Sequence, residues 1–162
     1  MTTKTDAYAG LARQLDALLE TETDWLANAA NTCALVMESL PDLNWVGFYL
    51  RRGDELVLGP FQGRVACVRI PVGKGVCGTA AADGRSVVVE NVHDFEGHIA
   101  CDAASNAELV VPIVVDGRCV AVFDLDSPTV GRFDDDDRAG VEGLVSTWVA
   151  RSALDDLVRV AS

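Results

Sequence analysis

Basic residues are scarce in this sequence. It has 13 Lys and Arg against 25 Asp and Glu, which gives a formal net charge of -12 at pH 7. Polyanions repel so acidic a chain, which argues against nucleic-acid and anionic-membrane partners. No apolar run reaches the roughly 18 residues of a membrane-spanning helix, and no segment has the pattern of a signal peptide. We therefore expect a cytoplasmic protein with neither kind of partner.

Cysteine pairs at CxxC spacing are also absent. The chain has 5 cysteines, and an odd number in a cytoplasmic protein argues against a structural disulfide framework. Core packing, metal binding and redox chemistry remain as explanations. His93 or His98 could bind a metal together with Cys67 or Cys101, but no such pair has the spacing of a familiar zinc site. We predict that no metal is bound.

A glycine-rich segment, PVGKGVCG at residues 71–78, lacks the ending of a phosphate-binding P-loop. In a P-loop the lysine precedes Ser or Thr, whereas here Lys74 precedes Gly75. The segment is therefore not expected to hold a nucleotide. We predict no cofactor.

The remaining pattern predicts one α+β domain over residues 1–162, with helices packed on a central, mostly antiparallel sheet. Apolar residues at helical spacing indicate N-terminal helices over about residues 6–40. Sheet and loops follow over about 44–126. Alternating or continuous apolar runs predict strands over 45–51, 55–58, 64–70, 86–90, 109–115 and 118–125.

Turns and loops complete this prediction. Asp116-Gly117 is typical of a two-residue hairpin turn, so the strands beside it are expected to be antiparallel neighbours. A short helix is predicted over Thr79–Asp83, and residues 91–106 have the composition of a long surface loop. The acidic run Asp134–Asp137 favours the start of a C-terminal helix over about 134–158.

The five cysteines fall into two groups. Cys33 lies on an apolar helix stripe and Cys119 inside a strand, so both are expected to pack as small hydrophobic side chains. Core packing explains less about Cys67 near a strand end, Cys77 where the glycine-rich loop meets a helix, and Cys101 in the long loop. A helix N-terminus favours the reactive thiolate, which makes Cys77 a candidate nucleophile. A mobile thiol such as Cys101 suits attack followed by disulfide formation.

Two carboxylates lie on one face of the last predicted strand. Asp124 and Asp126 are two residues apart, so they project from the same side of the sheet. Like charges among apolar neighbours raise the pKa of one carboxyl, which then can act as a proton donor near neutral pH. The alternative is that both lie at an exposed strand end. Glu108, just before an apolar strand, has the same two interpretations.

Four segments carry a resemblance to a known family: NWVGFY at 44–49, GPFQG at 59–63, IPVGKGVCG at 70–78 and FDLDS at 123–127. Together they resemble the free methionine-(R)-sulfoxide reductase family, over nearly the whole chain. Cys67, Cys77 and Cys101, separated by 10 and 24 residues, match the three characteristic cysteines of that family. The resemblance implies a GAF fold whose closed pocket accepts the free amino acid rather than a methionine residue within a protein.

The resemblance also implies how the cysteines act. Cys101 is the nucleophile that attacks the sulfoxide sulfur, releases methionine and is left as a sulfenic acid. Cys67 then resolves the sulfenic acid as a disulfide. Cys77 is an auxiliary resolving thiol, and an external dithiol such as thioredoxin reduces the disulfide. These roles replace the interpretation of Cys77 as the nucleophile, while the order in which Cys67 and Cys77 act stays open.

For the substrate, the resemblance implies that Trp45 lies against the S-methyl group and that Tyr49 contributes to the binding site. Glu108, Asp124 and Asp126 surround the sulfoxide oxygen and the ammonium group. A neutral carboxyl polarises the S=O bond, and an ionised one holds the ammonium. Glu108 and Asp126 are the candidate catalytic acids, but the sequence does not assign the two tasks.

Two other functions are compatible with the sequence. GAF domains commonly bind small molecules as sensors, and the fold alone does not separate sensing from catalysis. A thiol-based redox regulator or peroxide scavenger would use the cysteines without the acidic pocket. The terminal helices offer apolar faces, so we also expect a homodimer.

Overall fold

The chain folds into a six-stranded antiparallel sheet with helices on both faces. The computed structural model describes residues 1–162, and the sheet order is β3-β2-β1-β6-β5-β4. Its strands are β1 (Trp45–Arg52), β2 (Glu55–Gly63), β3 (Arg69–Pro71), β4 (Val87–Val89), β5 (Ala107–Val115) and β6 (Arg118–Ser127). Its helices are α1 (Lys4–Leu18), α2 (Trp25–Ser39), α3 (Gly75–Asp83), α4 (Asp135–Arg151) and α5 (Asp155–Val160), with a 3-10 turn at Val92–Asp94. The predicted fold class is confirmed.

The helices begin where side chains satisfy free backbone N–H groups. The Thr3 hydroxyl accepts a hydrogen bond from the Asp6 N–H at the start of α1, and the Asp24 carboxylate caps α2. Asp134 and Asp137 form a reciprocal capping box at the start of α4. No helix is both long and apolar enough to cross a membrane.

The two faces of the sheet have different partners. On one face, α1, α2, α4 and α5 cover a core of 27 buried residues, in which the Phe48 ring contacts the rings of Phe123 and Trp148. On the other face, α3 and the loops around it cover a smaller cluster of 13 buried residues. Because side chains alternate along a strand, β6 sends Phe123 to the first face and Asp124 to the second. The second face therefore carries the polar side chains.

The predicted hairpin at Asp116-Gly117 is confirmed. Both residues have positive φ values, 51° and 78°, as the two central residues of a type I′ turn require. The turn joins β5 to β6, which pair along almost their whole length.

The predicted strand over 64–70 is wrong for residues 64–68. These residues form an irregular loop between β2 and β3, and β2 instead extends to Gly63. Their backbone groups bond elsewhere: the Trp45 indole N–H donates to the Arg64 carbonyl, and the Tyr49 hydroxyl donates to the Cys67 carbonyl. Cys67 consequently lies in a loop, not in a strand.

Two predicted helix boundaries also change. The helix after the glycine-rich segment begins at Gly75, four residues before the predicted Thr79. The predicted C-terminal helix is interrupted at Ser152, which has extended dihedrals. The next residue, Ala153, donates its N–H to the Thr23 carbonyl at 2.8 Å. This bond to the α1–α2 connection replaces a helical one and separates α4 from α5.

Candidate active site

The strand register brings three carboxyl groups and one indole ring onto the same face. Glu108 of β5 pairs with Asp126 of β6, and Asp126 pairs on its other side with Trp45 of β1. Asp124 lies two residues along β6, opposite Gly47 and Val110. Directly opposed residues share a face of the sheet. One row therefore holds Glu108, Asp126 and Trp45, and the next row holds Asp124.

These carboxyl groups are buried. The exposed fractions of Glu108 and Asp124 are 6% and 5%, and Asp126 is half-buried. The alternative of an exposed strand end is therefore wrong for Glu108 and Asp124. The Oδ1 atom of Asp124 has no hydrogen-bond partner, although buried acceptors nearly always have one. This free oxygen suits a donor supplied by a ligand.

The pKa values of the three carboxyl groups are raised to different degrees. Burial raises the pKa of Asp124 to about 6, opposed by hydrogen bonds with Glu108 and Cys77. Burial and then the charges of Asp124 and Asp126 hold the pKa of Glu108 well above its ordinary value. Burial and the charge of Asp124 do the same for the pKa of Asp126. As the pH rises, Asp124 ionises first while the other two keep their protons.

Cys77 lies beneath the carboxyl cluster as a free, buried thiol. It is in the first turn of α3, and its thiol donates to Glu108 Oε1 across 3.8 Å. Burial, followed by the charges of Asp124 and Glu108, raises the pKa of this thiol well above its ordinary value. The prediction that the helix N-terminus makes Cys77 a reactive thiolate is wrong, because desolvation and repulsion outweigh the helix dipole.

A disulfide joins Cys67 to Cys101, with 5.4 Å between their Cα atoms. It links loop 64–68 to the long segment between the 3-10 turn and β5. Cys33 and Cys119 are buried free thiols, and both pack in hydrophobic clusters. Their predicted role as small hydrophobic side chains is confirmed.

The aromatic residues form a fixed wall. The Trp45 ring stacks on Phe61 at a centroid distance of 5.3 Å and on Tyr49 at 5.8 Å. The hydrogen bonds from Trp45 to the Arg64 carbonyl and from Tyr49 to the Cys67 carbonyl measure 3.1 and 2.9 Å. The polar atoms of both rings are satisfied by the loop backbone. An apolar surface remains for a ligand.

One cavity collects seven of the eight predicted site residues. Its lining comprises Trp45, Tyr49, Val65, Ala66, Ile70, Gly75, Val76, Cys77, His98, Ile99, Cys101, Asp102, Ser105, Glu108, Asp124 and Asp126. Of the predicted residues only Cys67 is missing, so Cys101 is the member of the disulfide that faces the cavity.

His98 is a site residue that the sequence analysis considered only as a metal ligand. Its Nε2 atom lies 3.8 Å from Glu108 Oε2, and the side chain is largely buried. Burial lowers the pKa of His98. It is the only basic side chain in the cavity lining. Its position three residues before Cys101 was the available signal.

A second contribution that the sequence did not indicate comes from Asn44. Its side-chain N–H group donates to Asp102 and to the Ser105 hydroxyl, both at 3.1 Å. Asp102 and Ser105 follow Cys101 in the long segment. Asn44 thus attaches that segment to the start of β1, beside the carboxyl cluster.

The residues with a metal-compatible arrangement are Cys77, Glu108 and Asp124. One ligand atom from each lies within 4.8 Å of the others. The same atoms contribute acceptors to the cavity, which an ammonium group can also use. The absence of a bound metal stays a prediction.

Comparisons with known proteins identify the family of the chain. The GAF domain family model matches residues 14–152. The chain is 57% identical over 143 residues to free methionine-R-sulfoxide reductase from Escherichia coli strain K12, covering 88% of this chain and 87% of that protein. The X-ray structure of free methionine-R-sulfoxide reductase from Neisseria meningitidis in complex with its substrate has a TM-score of 0.90 and 43% identity, covering 100% of this chain and 96% of that one.

The fold itself is more widely distributed. The GAF domain of a phosphoenolpyruvate-protein phosphotransferase from Coxiella burnetii superimposes with a TM-score of 0.82 at 14% identity, covering 92% of this chain and 94% of that one. At this identity the similarity concerns the fold alone. The functional argument depends on the site and on the closer relatives.

Proposed function

Because the chain belongs to the GAF-domain family of free methionine-R-sulfoxide reductases, we propose that it reduces free L-methionine-(R)-S-oxide to L-methionine. One observation carries the proposal: a disulfide-forming cysteine, Cys101, lines the same cavity as three buried carboxyl groups and an aromatic wall. Reduction of a methionine sulfoxide needs a thiol nucleophile, a proton donor and an apolar surface that binds the methyl group. This cavity offers all three.

The strand register supports one substrate orientation in this proposal. With the S-methyl group against Trp45, the sulfoxide lies beside Asp126 and Glu108, which share a cross-strand row with that indole. Burial raises the pKa values of both carboxyl groups well above their ordinary values, which favours their neutral forms. A neutral carboxyl donates to the sulfoxide oxygen and makes the sulfur electrophilic. Asp126 and Glu108 are therefore the proposed acids.

Asp124 takes the ammonium group. It is one row away from the proposed sulfoxide position, and its carboxyl, with a pKa of about 6, is the first of the three to ionise. Its free Oδ1 atom accepts a hydrogen bond from the ammonium. His98, the basic side chain of the lining, faces the substrate carboxylate. A methionine residue inside a protein lacks both charged groups, so this arrangement selects the free amino acid.

The chemistry proceeds in two steps before recycling. Cys101 Sγ attacks the sulfoxide sulfur, the S–O bond breaks, and the oxygen is transferred to Cys101 as a sulfenic acid while methionine leaves. The Cys67 thiol then attacks Cys101 Sγ, forming the S–S bond and releasing water. The disulfide between these two residues supports that step, because it is the product that the step would form. It favours Cys67 as the first resolving partner.

Cys77 stays a predicted auxiliary thiol. Its neutral, buried thiol contacts Glu108, so thiol-disulfide exchange at this position is slow unless the carboxyl cluster rearranges. Its proposed contribution in the resting site is to donate a hydrogen bond to Glu108.

Recycling requires two electrons from outside the chain. We propose thioredoxin as the reductant and the cytoplasm as the location, because a disulfide formed at every turnover must be reduced repeatedly. No substrate group or metal in the proposed cycle supplies those electrons. No cofactor is expected within the chain.

The homodimer stays a prediction. The apolar stripes on which it was based are largely used within the chain, where Leu11, Leu15, Leu144 and Trp148 are buried in the first core. Leu18 and Leu26 remain exposed and offer a smaller contact. Sedimentation velocity at micromolar concentration tests the prediction, and a single monomer peak contradicts it.

The test of the proposed function is NADPH oxidation through thioredoxin reductase and thioredoxin. We expect turnover with free methionine-R-sulfoxide and none with its S epimer or a peptide-bound sulfoxide. Cys101→Ser is expected to be inactive, and Cys33→Ser serves as the matched control at a core cysteine. No turnover with any sulfoxide, with dithiothreitol in place of thioredoxin, would favour a GAF sensor instead.

A peroxide scavenger that uses the same cysteines makes a different prediction. It needs no carboxyl donor, so Asp126→Asn should leave its activity nearly unchanged. The reductase proposal predicts a loss of about 10²-fold or more in kcat/KM for that variant, the usual size of a general-acid contribution.

A further inference from the structure

The surface beside the disulfide is unusually apolar. Val65 and Val68 flank Cys67 in loop 64–68, and their exposed fractions are 87% and 61%. Single exposed valines are ordinary, but two that border a disulfide form a contact surface next to a reactive bond.

The chain segment that carries Cys67 is free of acidic residues. No Asp or Glu occurs between Glu55 and Asp83, whereas the chain as a whole has a net charge of -12. Arg64, Arg69 and Lys74 lie in this interval. Arg69 pairs with Glu55, and no ion pair engages Arg64 or Lys74. In the segment that carries Cys67 the exposed cations Arg64 and Lys74 have no acidic partner, whereas Asp102 directly follows Cys101. The segment that carries Cys67 therefore favours an acidic partner and speeds its approach.

The loop is held in place. Trp45 and Tyr49 donate hydrogen bonds to its Arg64 and Cys67 carbonyls, and the Leu58 N–H donates to the Val68 carbonyl at 2.9 Å. A surface that is already ordered loses little conformational entropy when a partner binds. Three bonds fix a loop of only five residues.

The two sulfurs differ in their surroundings. Cys101 lines the substrate cavity, whereas Cys67 does not. A thiol carried by a folded protein reaches a sulfur outside a cavity more readily than one inside it. Cys67 is next to Val68, which is exposed and also outside the cavity lining, so Cys67 is the sulfur that a protein partner can approach.

We propose that loop 64–68 is the docking surface for an acidic dithiol protein and that the attacking cysteine of this protein reacts with Cys67 Sγ. The proposal rests on the proposed function, which requires an external dithiol. A thiolate of the partner forms a new S–S bond to Cys67, the Cys67–Cys101 bond breaks, and Cys101 leaves as a thiolate that takes up a proton. The second thiol of the partner then attacks the mixed disulfide, releases Cys67 and leaves the partner oxidised.

This choice of sulfur has a functional consequence. The first exchange step frees the nucleophile, Cys101, within the cavity while the partner is still bound at Cys67. Val65 and Ala66 of this loop line the cavity, whereas Cys67 and Val68 do not. Attack at Cys67 therefore does not require the partner thiol to enter the substrate cavity.

The docking surface is tested by comparing two reductants. Val68→Asp is expected to lower kcat/KM for a bacterial thioredoxin by about tenfold or more, as for a contact residue at a small interface. Dithiothreitol needs no docking surface, so its support of turnover should stay within about twofold of wild type. Val130→Asp is the matched control, since Val130 is 51% exposed in the β6–α4 connection.

Arg64→Glu tests the charge independently of the valine. Because it reverses a cation, it should weaken the dependence of the thioredoxin reaction on salt as well as its rate. If both variants kept wild-type kinetics with thioredoxin as well as with dithiothreitol, the docking surface would be overturned. A failure of the proposed function differs from this outcome, because dithiothreitol would then support no turnover in any variant.

The attacked sulfur is tested by trapping. Thioredoxin with its second cysteine replaced by serine cannot resolve a mixed disulfide and stays attached. Mixed with the oxidised protein without substrate, it should be found on Cys67 by peptide mass spectrometry. Attachment at Cys101 or Cys77 would overturn the assignment.

Discussion

Asp124 decides how the three carboxyl groups share their charge. Burial raises its pKa to about 6, and hydrogen-bond interactions with Glu108 and Cys77 limit that rise. Burial and then the charge of ionised Asp124 raise the pKa values of Glu108 and Asp126. The cluster thus carries a negative charge for the ammonium group and neutral acids for the sulfoxide at the same pH.

A pH dependence of activity follows. Below about pH 6 Asp124 gains a proton and loses its charge, so kcat/KM should fall in the acidic direction. In Asp124→Asn this acidic limb, the fall of kcat/KM towards low pH, should disappear. The value of kcat/KM at neutral pH should drop by about 10²-fold because the ammonium loses its charged partner. Dithiothreitol-supported initial rates from about pH 5 to 9 measure both effects. An unchanged acidic limb in the variant would show that another group titrates.

The same substitution, Asp124→Asn, should raise the stability of the folded state although it lowers activity. The folded pKa of Asp124, about 6, lies above the ordinary value of 3.8, so the ionised group destabilises the folded state above pH 6, and this cost vanishes below pH 3.8. Asp124→Asn is expected to raise the free energy of unfolding by up to about 3 kcal/mol near pH 7.5. The gain should shrink as the pH falls towards about 4.

Urea unfolding at several pH values, with the disulfide intact, measures the gain. The control is Asp94→Asn, at an exposed position of the 3-10 turn, which should change stability by less than about 0.5 kcal/mol. A gain that is independent of pH would mean that burial of a polar group, not its charge, sets the cost.

His98 offers a test of substrate orientation. As the only base in the cavity lining, it should contribute to binding only when the substrate has a carboxylate. We expect His98→Gln to raise KM for free methionine-R-sulfoxide by about tenfold and to leave KM for its carboxamide analogue unchanged. His93→Gln, on the 3-10 turn and outside the cavity, is the control. An equal loss with both substrates would assign His98 a structural role.

At the scale of single elements, β1 is built around a close approach at Gly47. A Cβ atom there would overlap the Trp45 ring and lie 2.6 Å from Phe61 Cβ. The register between β1 and β2 also shifts between Gly47 and Tyr49. The missing side chain lets the indole lie flat against the strand, where it forms the aromatic wall.

Gly47→Ala should therefore displace Trp45. We expect KM for the sulfoxide to rise by about tenfold and the free energy of unfolding to fall by about 1–3 kcal/mol, as for overpacked cores. Gly143→Ala in α4 is the matched control, because no atom lies within 4 Å of its added methyl group. That change should leave KM unaltered and stabilise the helix by up to about 1 kcal/mol. An unaltered KM in Gly47→Ala would contradict the role of Trp45.

The elements also separate what the sequence could predict from what it could not. Asp116-Gly117 and the Asp24 cap were predictable because the interactions that fix them are local. Residues 64–68 were not, since their carbonyls bond to Trp45 and Tyr49 from another strand. The break between α4 and α5 likewise depends on Thr23, which is far away in the sequence. Tertiary hydrogen bonds override local propensity at both places.

For the candidate site the division is similar. Alternation along β6 placed Asp124 and Asp126 on one face, and the three cysteines were identified by resemblance. The depth of burial that sets the carboxyl pKa values depends on α3 covering the sheet, which no local pattern reveals. The place of His98 in the cavity was not predicted, because it depends on a contact with Glu108 that brings the long segment onto β5. The sequence thus indicated which residue types belong to the site, but not which of them come close together in space.

At the scale of the whole molecule, one face of the sheet stabilises the fold and the other forms the polar cavity. The larger core of 27 residues supplies most of the apolar burial, and the smaller cluster of 13 supports the polar cavity. Buried carboxyl groups are costly, so they depend on a scaffold that is stabilised elsewhere. The acid-free loop beside the disulfide gives an otherwise acidic molecule one surface that suits an acidic partner.

A single-turnover experiment tests the central claim most directly. The reduced protein is mixed with excess free methionine-R-sulfoxide without any reductant, and methionine and free thiols are counted. We expect one methionine per chain and the loss of the Cys67 and Cys101 thiols together, with no reaction of the S epimer or of a peptide-bound sulfoxide. Thiol loss without methionine formation, or equal reaction of all three sulfoxides, would contradict the account.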